Sequence, residues 1–290
     1  MNAVATVAKG SPLAIICGSG SLPFAVADAA TNSGRSVILF AIRGAADAER
    51  VAKYPHKWGS VGQFGRLQRM LNDAGCRDVV FIGGLVRPAL WQLRLDFKTL
   101  TLLPRLAAAF RGGDNHLLSG VGDIFERNGF HLLGAHEVAP EILVPEGPLG
   151  KTKPSERDRE DIETGLGYLR AAGPYDVGQA VVVSGRHVLA VEAVEGTDRM
   201  LARVAELRAA GRIPSAAGTG VLVKAPKPEQ DRRFDLPSIG PQTVASVVKA
   251  GLAGLAIIAG ETIVADPAEV AAAADRADIF VVGMKPGTTR

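Results

Sequence analysis

Leu13-Ala-Ile-Ile-Cys17, followed at once by Gly18-Ser-Gly-Ser-Leu-Pro23, is the stretch from which the architecture of this chain can be built outward. Five consecutive apolar residues read as a strand buried on both faces, as in parallel sheets. The glycines behind it permit a sharp turn, and Pro23 pre-sets the backbone for a helix around Phe24–Ser33. Gly34 is placed to stop that helix. The same alternation then recurs. Ser36–Ile42 reads as a second strand, and Phe64, Leu67, Met70, Leu71 and Ala74 recur at helical spacing up to Gly75. Asp78–Ile82 is a third strand, ended by Gly83-Gly84, and Leu117, Leu118, Val121, Ile124 and Phe125 form another helical stripe behind Asp114 as its N-cap. Strands separated by helices predict a Rossmann-like parallel sheet covered by helices, over residues 1–130.

The character changes after that. Gly129–Gly150 carries three prolines and no helical stripe, so residues 131–150 read as a linker. Residues 151–290 read as a second α/β domain. It opens with a charged helix near Ser155–Ala172 and a hairpin of Gln179–Ser184 with His187–Val194 across Gly185-Arg186. Met200, Leu201, Val204 and Leu207 make the next helix, and Val221–Val223 a strand. Gly240-Pro241 starts a helix that Gly251 ends. Leu255–Ile258, Thr262–Ala265 and Ile279–Val282 read as strands, and Asp266-Pro-Ala-Glu269 as a helix start capped by Asp266. The fold class is therefore α/β, with two domains.

Composition bounds the function. The chain has 290 residues, 47% of them hydrophobic and 22% charged, with a net charge of +3, so no nucleic-acid footprint is demanded. Cys17 and Cys76 are too few for a disulfide framework and fit a reducing compartment. The first apolar run is five residues long, short of the roughly 7–15 of a signal peptide. No run approaches the roughly 20 residues of a membrane span. A cytoplasmic protein is expected, with peripheral contact at the inner membrane and homodimerisation both left open.

Several segments could carry chemistry. The turn Gly18–Pro23 could bring backbone N–H groups to a phosphate at a helix N-terminus. A dinucleotide fingerprint would need a third glycine where Pro23 and Phe24 stand, and an acid at the end of the second strand, where Arg43 stands. A structural tight turn is the plainer alternative. The second segment runs from Val221 to Pro241, with four prolines in sixteen residues to stiffen it. Into it the chain sets Lys224, Lys227, Asp231, Arg232, Arg233 and Asp235. Cations at this density suit a diphosphate, and carboxylates among them suit Mg²⁺. Third, Glu195-Gly-Thr-Asp198 ends a strand: Thr197 or Asp198 would cap the next helix, and Glu195 and Thr197 could meet a phosphate or its metal-bound water. His136, in Gly134-Ala-His-Glu137, reads more readily as a hydrogen-bonded structural residue, because no histidine pair has zinc-ligand spacing. Finally, Leu85–Arg111 interleaves Trp91, Phe97 and Phe110 with arginines, which suits an acyl chain, a membrane surface or simple packing.

Taken in order, these pieces resemble the LpxI-type UDP-2,3-diacylglucosamine diphosphatases of lipid A biosynthesis, from Leu13 to Gly283. The resemblance is carried by Gly18-Ser-Gly-Ser-Leu-Pro23, Phe81-Ile-Gly-Gly84 with Val86-Arg-Pro88, Gly134-Ala-His-Glu-Val138 and Asp176-Val-Gly-Gln179. It continues through Glu192, Glu195-Gly-Thr-Asp198, Lys224-Ala-Pro-Lys-Pro228 and Asp235-Leu-Pro-Ser-Ile-Gly240. Ser238 stands where the family usually has Thr, which keeps the hydroxyl. The resemblance implies a Mg²⁺-dependent hydrolase with two domains that close over an acylated UDP-sugar, releasing UMP and 2,3-diacylglucosamine 1-phosphate. It places the catalytic aspartate at Asp235, with Asp231 the weaker candidate. The expected site is then Asp235 and Glu195 on Mg²⁺, and Lys224 and Lys227 against developing charge. Gly18, Ser19, Gly20, Ser21, Leu22, Gly83, Gly84, His136, Glu195, Thr197 and Asp198 are the expected substrate contacts, with Trp91 near the acyl chains. The rival expectations are an NAD(P)-dependent oxidoreductase and a non-catalytic carrier of sugar nucleotides or lipids.

Overall fold

The computed structural model describes residues 10–85, 95–102, 114–227, 231–234 and 236–287. They form two compact units: Met1–Pro140 with Asp231–Asp235, and Glu141–Gln230 with Leu236–Arg290.

The first unit holds β1 (Leu13–Cys17), α1 (Leu22–Asn32), β2 (Val37–Ile42), α2 (Ala48–Val51), β3 (His56–Gly59), α3 (Phe64–Asp73) and β4 (Asp78–Ile82). A short helix α4 (97–102), then α5 (Asp114–Arg127), β5 (His131–Leu133) and α6 (Ala135–Val138) complete it. All five strands are parallel, in the order β3-β2-β1-β4-β5. β1 is central and every residue of it is buried, which is why it carries no polar alternation. One face of the sheet packs Ala14, Ile16, Phe40 and Val79 against Leu71, Phe125 and Phe130. Helix α3 has no capping side chain of its own. Its first turn is satisfied from some thirty residues away, where Thr99 Oγ1 accepts from Phe64 N at 3.0 Å and Asp96 Oδ2 from Arg66 N at 2.9 Å.

The second unit holds β6 (Gly147–Pro148), α7 (Glu156–Ala172), β7 (Ala180–Ser184), β8 (His187–Val191), α8 (Thr197–Ala209) and β9 (Val221–Lys224). They are followed by β10 (Ser238–Ile239), α9 (Pro241–Lys249), β11 (Gly254–Ile258), β12 (Ile263–Val264), α10 (Pro267–Arg276) and β13 (Phe280–Met284). Its main sheet is mixed, ordered β6-β13-β11-β9-β7-β8, with β9, β11 and β13 parallel and β6, β7 and β8 running against their neighbours. β10 and β12 pair in parallel beside it as a separate two-stranded sheet. Residues alternate cleanly between two cores: Val181, Val183, Val221 and Val223 face Ile162, Leu166 and Leu169 of α7. Ala180, Val182, Leu222 and Leu255 face Met200, Leu201, Val204, Val244 and Val270 of α8, α9 and α10. The β7–β8 hairpin is pinned to α7 by Asp161, a carboxylate 1% exposed, which accepts from Gly185 N at 3.1 Å and Arg186 N at 2.6 Å.

The α/β reading holds for both halves, with differences in detail. Residues 131–150, expected as a linker, are largely taken into elements: β5 extends the first sheet, and β6 pairs with β13 in the second. Short edge strands carry too few residues to show a period. Asp266 stands at the N-cap of α10 but in left-handed geometry (φ 54°) with no side-chain cap. Thr197 and Asp198 do not cap α8 either, because Gly196 takes that position with φ 79°.

Candidate functional site

Parallel β9 and β11 end on the same edge of the second sheet, and in such folds ligands gather at carboxyl ends of strands. Lys224, the last residue of β9, is hydrogen-bonded there to α8 and to the segment that opens β10. Its ammonium donates to Thr197 Oγ1 at 3.1 Å and to the Ser238 carbonyl at 3.1 Å. Thr197 is the first residue of α8 and donates its own hydroxyl proton to Glu192 Oε1 at 2.8 Å. Glu192 Oε2 accepts from Gln179 N at 2.9 Å. Glycine is needed at 178 because a Cβ there would lie 2.5 Å from Glu192 Cγ. The result is a chain of contacts Lys224–Thr197–Glu192–Gln179 at the uncapped N-terminus of a thirteen-residue helix. Orphan N–H groups, the positive end of the helix and an ammonium together suit phosphate oxygens.

The neighbouring expected residues are arranged differently. Lys227 donates to Asp176 Oδ1 at 2.5 Å, so it is directed toward the turn that precedes β7. Glu195 accepts from Arg203 at 2.9 Å, and Asp198 from Ser246 at 3.5 Å. Glu192, rather than Glu195, is the acid joined to Thr197 and through it to Lys224. The sequence carried a signal for it in the glycine of Asp176-Val-Gly-Gln179, which Glu192 packs against.

In the first unit, β1 and β4 flank the point where strand order reverses, the usual ligand position of open α/β sheets. Two glycine turns meet there and bond to one another. Ser19 N donates to Gly84 O at 2.8 Å, Gly84 N to Ser19 O at 3.0 Å, and Gly18 N to Ile82 O at 3.0 Å. Ser19 Oγ adds a bond to Gly84 O at 3.0 Å. A Cβ on Gly18 would lie 2.5 Å from Gly84 O, and one on Gly83 (φ +100°) 2.7 Å from Ser19 O. The glycines thus serve close backbone approach, and the N–H groups of Gly18 and Ser19 are already used. Any anion at this turn would have to meet the backbone from Gly20 through Ser21 to Leu22, at the start of α1. Cys17 beside it is buried, and burial pushes its thiol up to about 11, so it is no nucleophile.

His136 lies in α6 with its ring against Gly134, whose added Cβ would meet it at 2.3 Å. Its Nδ1 is buried with no hydrogen-bond partner among the described residues. Burial lowers its pKa and Arg232 adds to this, while Glu137 opposes it. Asp231 is clamped by Arg233, whose Nε and Nη2 approach its carboxylate at 3.0 and 2.8 Å. That guanidinium holds Asp231 below the usual carboxylate range, in spite of burial. Asp235 and Trp91 lie outside the described residues.

No three His, Cys, Asp or Glu side chains converge as metal ligands among the described residues. Glu195 and Asp231 are each paired with an arginine. The described residues by themselves therefore form no cage for a metal ion, and Asp235, the expected ligand, lies outside them. No helix among them is long and apolar enough to cross a membrane.

A parallel sheet with a reversed strand order, a second mixed sheet and an ammonium at the start of α8 define an α/β protein with a cation at one sheet edge. Family comparison narrows this. The LpxI N-terminal domain model matches residues 12–142, and the LpxI C-terminal domain model residues 145–282. The chain is also similar to the UDP-2,3-diacylglucosamine pyrophosphatase LpxI of Caulobacter vibrioides, at 43% identity over 274 residues, covering 94% of this chain and 98% of that protein. The chain belongs to the LpxI family, and it is a hydrolase.

Proposed function

We propose that this chain hydrolyses the diphosphate of UDP-2,3-diacylglucosamine to UMP and 2,3-diacylglucosamine 1-phosphate, a step of lipid A biosynthesis. The observation that supports this chemistry best is the ammonium of Lys224 held on Thr197 at the uncapped start of α8. Diphosphate cleavage is largely a matter of positioning and of neutralising charge on non-bridging oxygens. Lys224 and the first N–H groups of α8 supply fixed positive charge, and Thr197 keeps the ammonium in place through Glu192. Lys227 is the second cation of the proposal. Asp235 orients the attacking water, a role supported by its place in Asp235-Leu-Pro-Ser-Ile-Gly240 after the lysine–proline loop. Glu192 replaces Glu195 as the acid that organises this edge.

Mg²⁺ dependence is part of the proposal: the ion would be bound mainly by the diphosphate with Asp235, and would supply charge neutralisation. Uridine or sugar contacts at Gly20–Leu22 and Gly83-Gly84, and at His136, are assigned to the first unit on the same basis. The acyl chains of the substrate favour peripheral contact with the inner membrane.

The test is UMP release from UDP-2,3-diacylglucosamine by purified protein, with Mg²⁺ and with EDTA. Release that needs Mg²⁺ and disappears in Asp235→Ala, with substrate binding retained, supports the proposal. A protein that binds the substrate and releases no UMP would instead be a carrier.

A further inference from the structure

β9 ends at Lys224 and runs into the loop that carries Lys227. The chain leading into β7 supplies the bed for that loop. β7 and β9 are antiparallel, with Ala180 opposite Lys224. The pairing continues past both strands. Ala225 N donates to Gln179 O at 3.0 Å, and the Lys227 ammonium donates to Asp176 Oδ1 at 2.5 Å. Asp176–Gln179 therefore lies along Lys224–Lys227. It is fixed from its other side as well. Gly178 N donates to Glu192 O at 3.0 Å, and Gln179 N to Glu192 Oε2 at 2.9 Å. A Cβ on Gly178 would stand 2.5 Å from that same Glu192 carbonyl oxygen, so glycine is what lets the two stretches lie this close. Asp176 follows a single 3₁₀ turn, Gly173–Tyr175, and takes left-handed geometry (φ 51°, ψ 32°). Its N–H donates to Gly173 O at 3.1 Å. Aspartate tolerates this conformation better than most residues, and glycine adopts it more readily still. What aspartate adds at this position is a carboxylate.

We infer that Asp176 is a positioning residue for hydrolysis: it holds the Lys227 ammonium, while Gly178 and Gln179, through Glu192 and Thr197, tie Lys224 to the same stretch of backbone. The inference rests on the proposed use of both lysines as cations against the diphosphate. Its physical basis is preorganisation. A lysine ammonium is a compact charge on a flexible four-carbon stem. Charge already in place stabilises a transition state more than charge that must be ordered during the reaction. Pro226 restricts the backbone of the loop, but only a side-chain contact can fix where the Lys227 ammonium stands. The pair is partly exposed, at 22% for Lys227 and 41% for Asp176, so it adds little to folding and its effect belongs to turnover. Asp176 need not touch the substrate.

The experiment is steady-state UMP release and thermal melting of the full chain for Asp176→Gly, Asp176→Asn and Lys227→Met, and for each Asp176 variant combined with Lys227→Met. Asp176→Gly removes the carboxylate and gives the left-handed position the residue that adopts it most readily, so its melt should match or exceed wild type. The expected result is a kcat lowered about 10²-fold by Lys227→Met and about tenfold by Asp176→Gly, with KM changed less than about threefold in each. Asp176→Asn, which keeps an acceptor oxygen without the charge, should fall between wild type and Asp176→Gly. The deciding readout is coupling. A residue that acts through Lys227 has nothing to add once the ammonium is gone, so both double variants should turn over like Lys227→Met alone. A merely structural role would lower the melt and slow the double variants further. If Asp176→Gly melts lower than wild type, Asp176→Asn carries the same comparison. Wild-type kcat in Asp176→Gly, alongside an impaired Lys227→Met, overturns the inference and leaves the proposed role of Lys227 standing. Losses that multiply in the double variants overturn it too. Wild-type turnover in Lys227→Met removes Lys227 as the second cation, and absence of UMP release by the wild-type chain removes the proposed function; either takes the inference with it.

Discussion

Lys224 Nζ and Thr197 Oγ1 meet at 3.1 Å, tying the last residue of β9 to the first of α8. The ammonium is thus held at the start of α8, where the proposed function needs positive charge. Lys224→Met should lower UMP release about 10²–10³-fold, the usual loss when one preorganised donor is removed. Lys224→Arg should restore little, since a planar fork cannot reproduce both bonds of a compact ammonium. Steady-state kinetics with matched melting curves checks this.

Thr197 is oriented by Glu192, so Glu192→Gln should act through that hydroxyl. The amide cannot accept from both Gln179 N and Thr197 Oγ1 as the carboxylate does. A stability loss of about 1 kcal/mol is expected from the disturbed half-buried contacts. Turnover should fall about tenfold, equivalent to about 1.4 kcal/mol of barrier. Thr197→Val should resemble it in turnover, and Thr197→Ser should stay close to wild type.

Gly18→Ala and Gly83→Ala should both destabilise the first unit, because the new methyl would stand 2.5 Å and 2.7 Å from a carbonyl oxygen. Overpacking of this kind costs roughly 1–3 kcal/mol. Gly83 adds the strain of a left-handed backbone at φ +100°, about 1–3 kcal/mol more. Chemical denaturation should therefore rank Gly83→Ala as the weaker protein.

The ring of His136 prefers to be neutral in the folded protein, since burial lowers its pKa. The unfolded chain then binds more protons between the lowered pKa and the ordinary histidine value near 6.5. Stability from this group is fully present above about pH 6.5 and is lost as pH falls toward the lowered folded pKa. Melting temperatures from pH 7.5 down to pH 5 should decline less steeply in His136→Gln than in the wild type.

Cys17 and Cys76 are both buried, and burial raises both thiols, that of Cys17 to about 11. Native protein at about pH 8 should take up no iodoacetamide on a timescale that labels free cysteine. Two adducts should appear by mass once guanidinium unfolds the chain.

Much of this was readable before any coordinates. Uninterrupted apolar runs such as Leu13–Cys17 and Val221–Val223 can only be satisfied in sheets covered on both faces. The proline-first, glycine-last boundaries of α9 are set by local backbone preferences. Lys224 could be marked as a strand-end cation, because the strand and the proline-stiffened bend are adjacent in sequence. Short strands such as β5 and β10 could not be separated from their surroundings, since two or three residues show no usable period, whereas β12 lies within the strand read at Thr262–Ala265.

What the sequence determined by itself, then, was the α/β layering and the stock of cations and acids along the 221–241 bend. Periodicity and backbone restriction act over a few neighbouring residues. Only the tertiary structure decided which acid meets Thr197, that Ser19 and Gly84 lock two turns together, and that Phe234 is seated against Gly122 and Phe81. Each of these depends on atoms separated by several to more than a hundred residues, whose approach is fixed by packing rather than by local backbone preference.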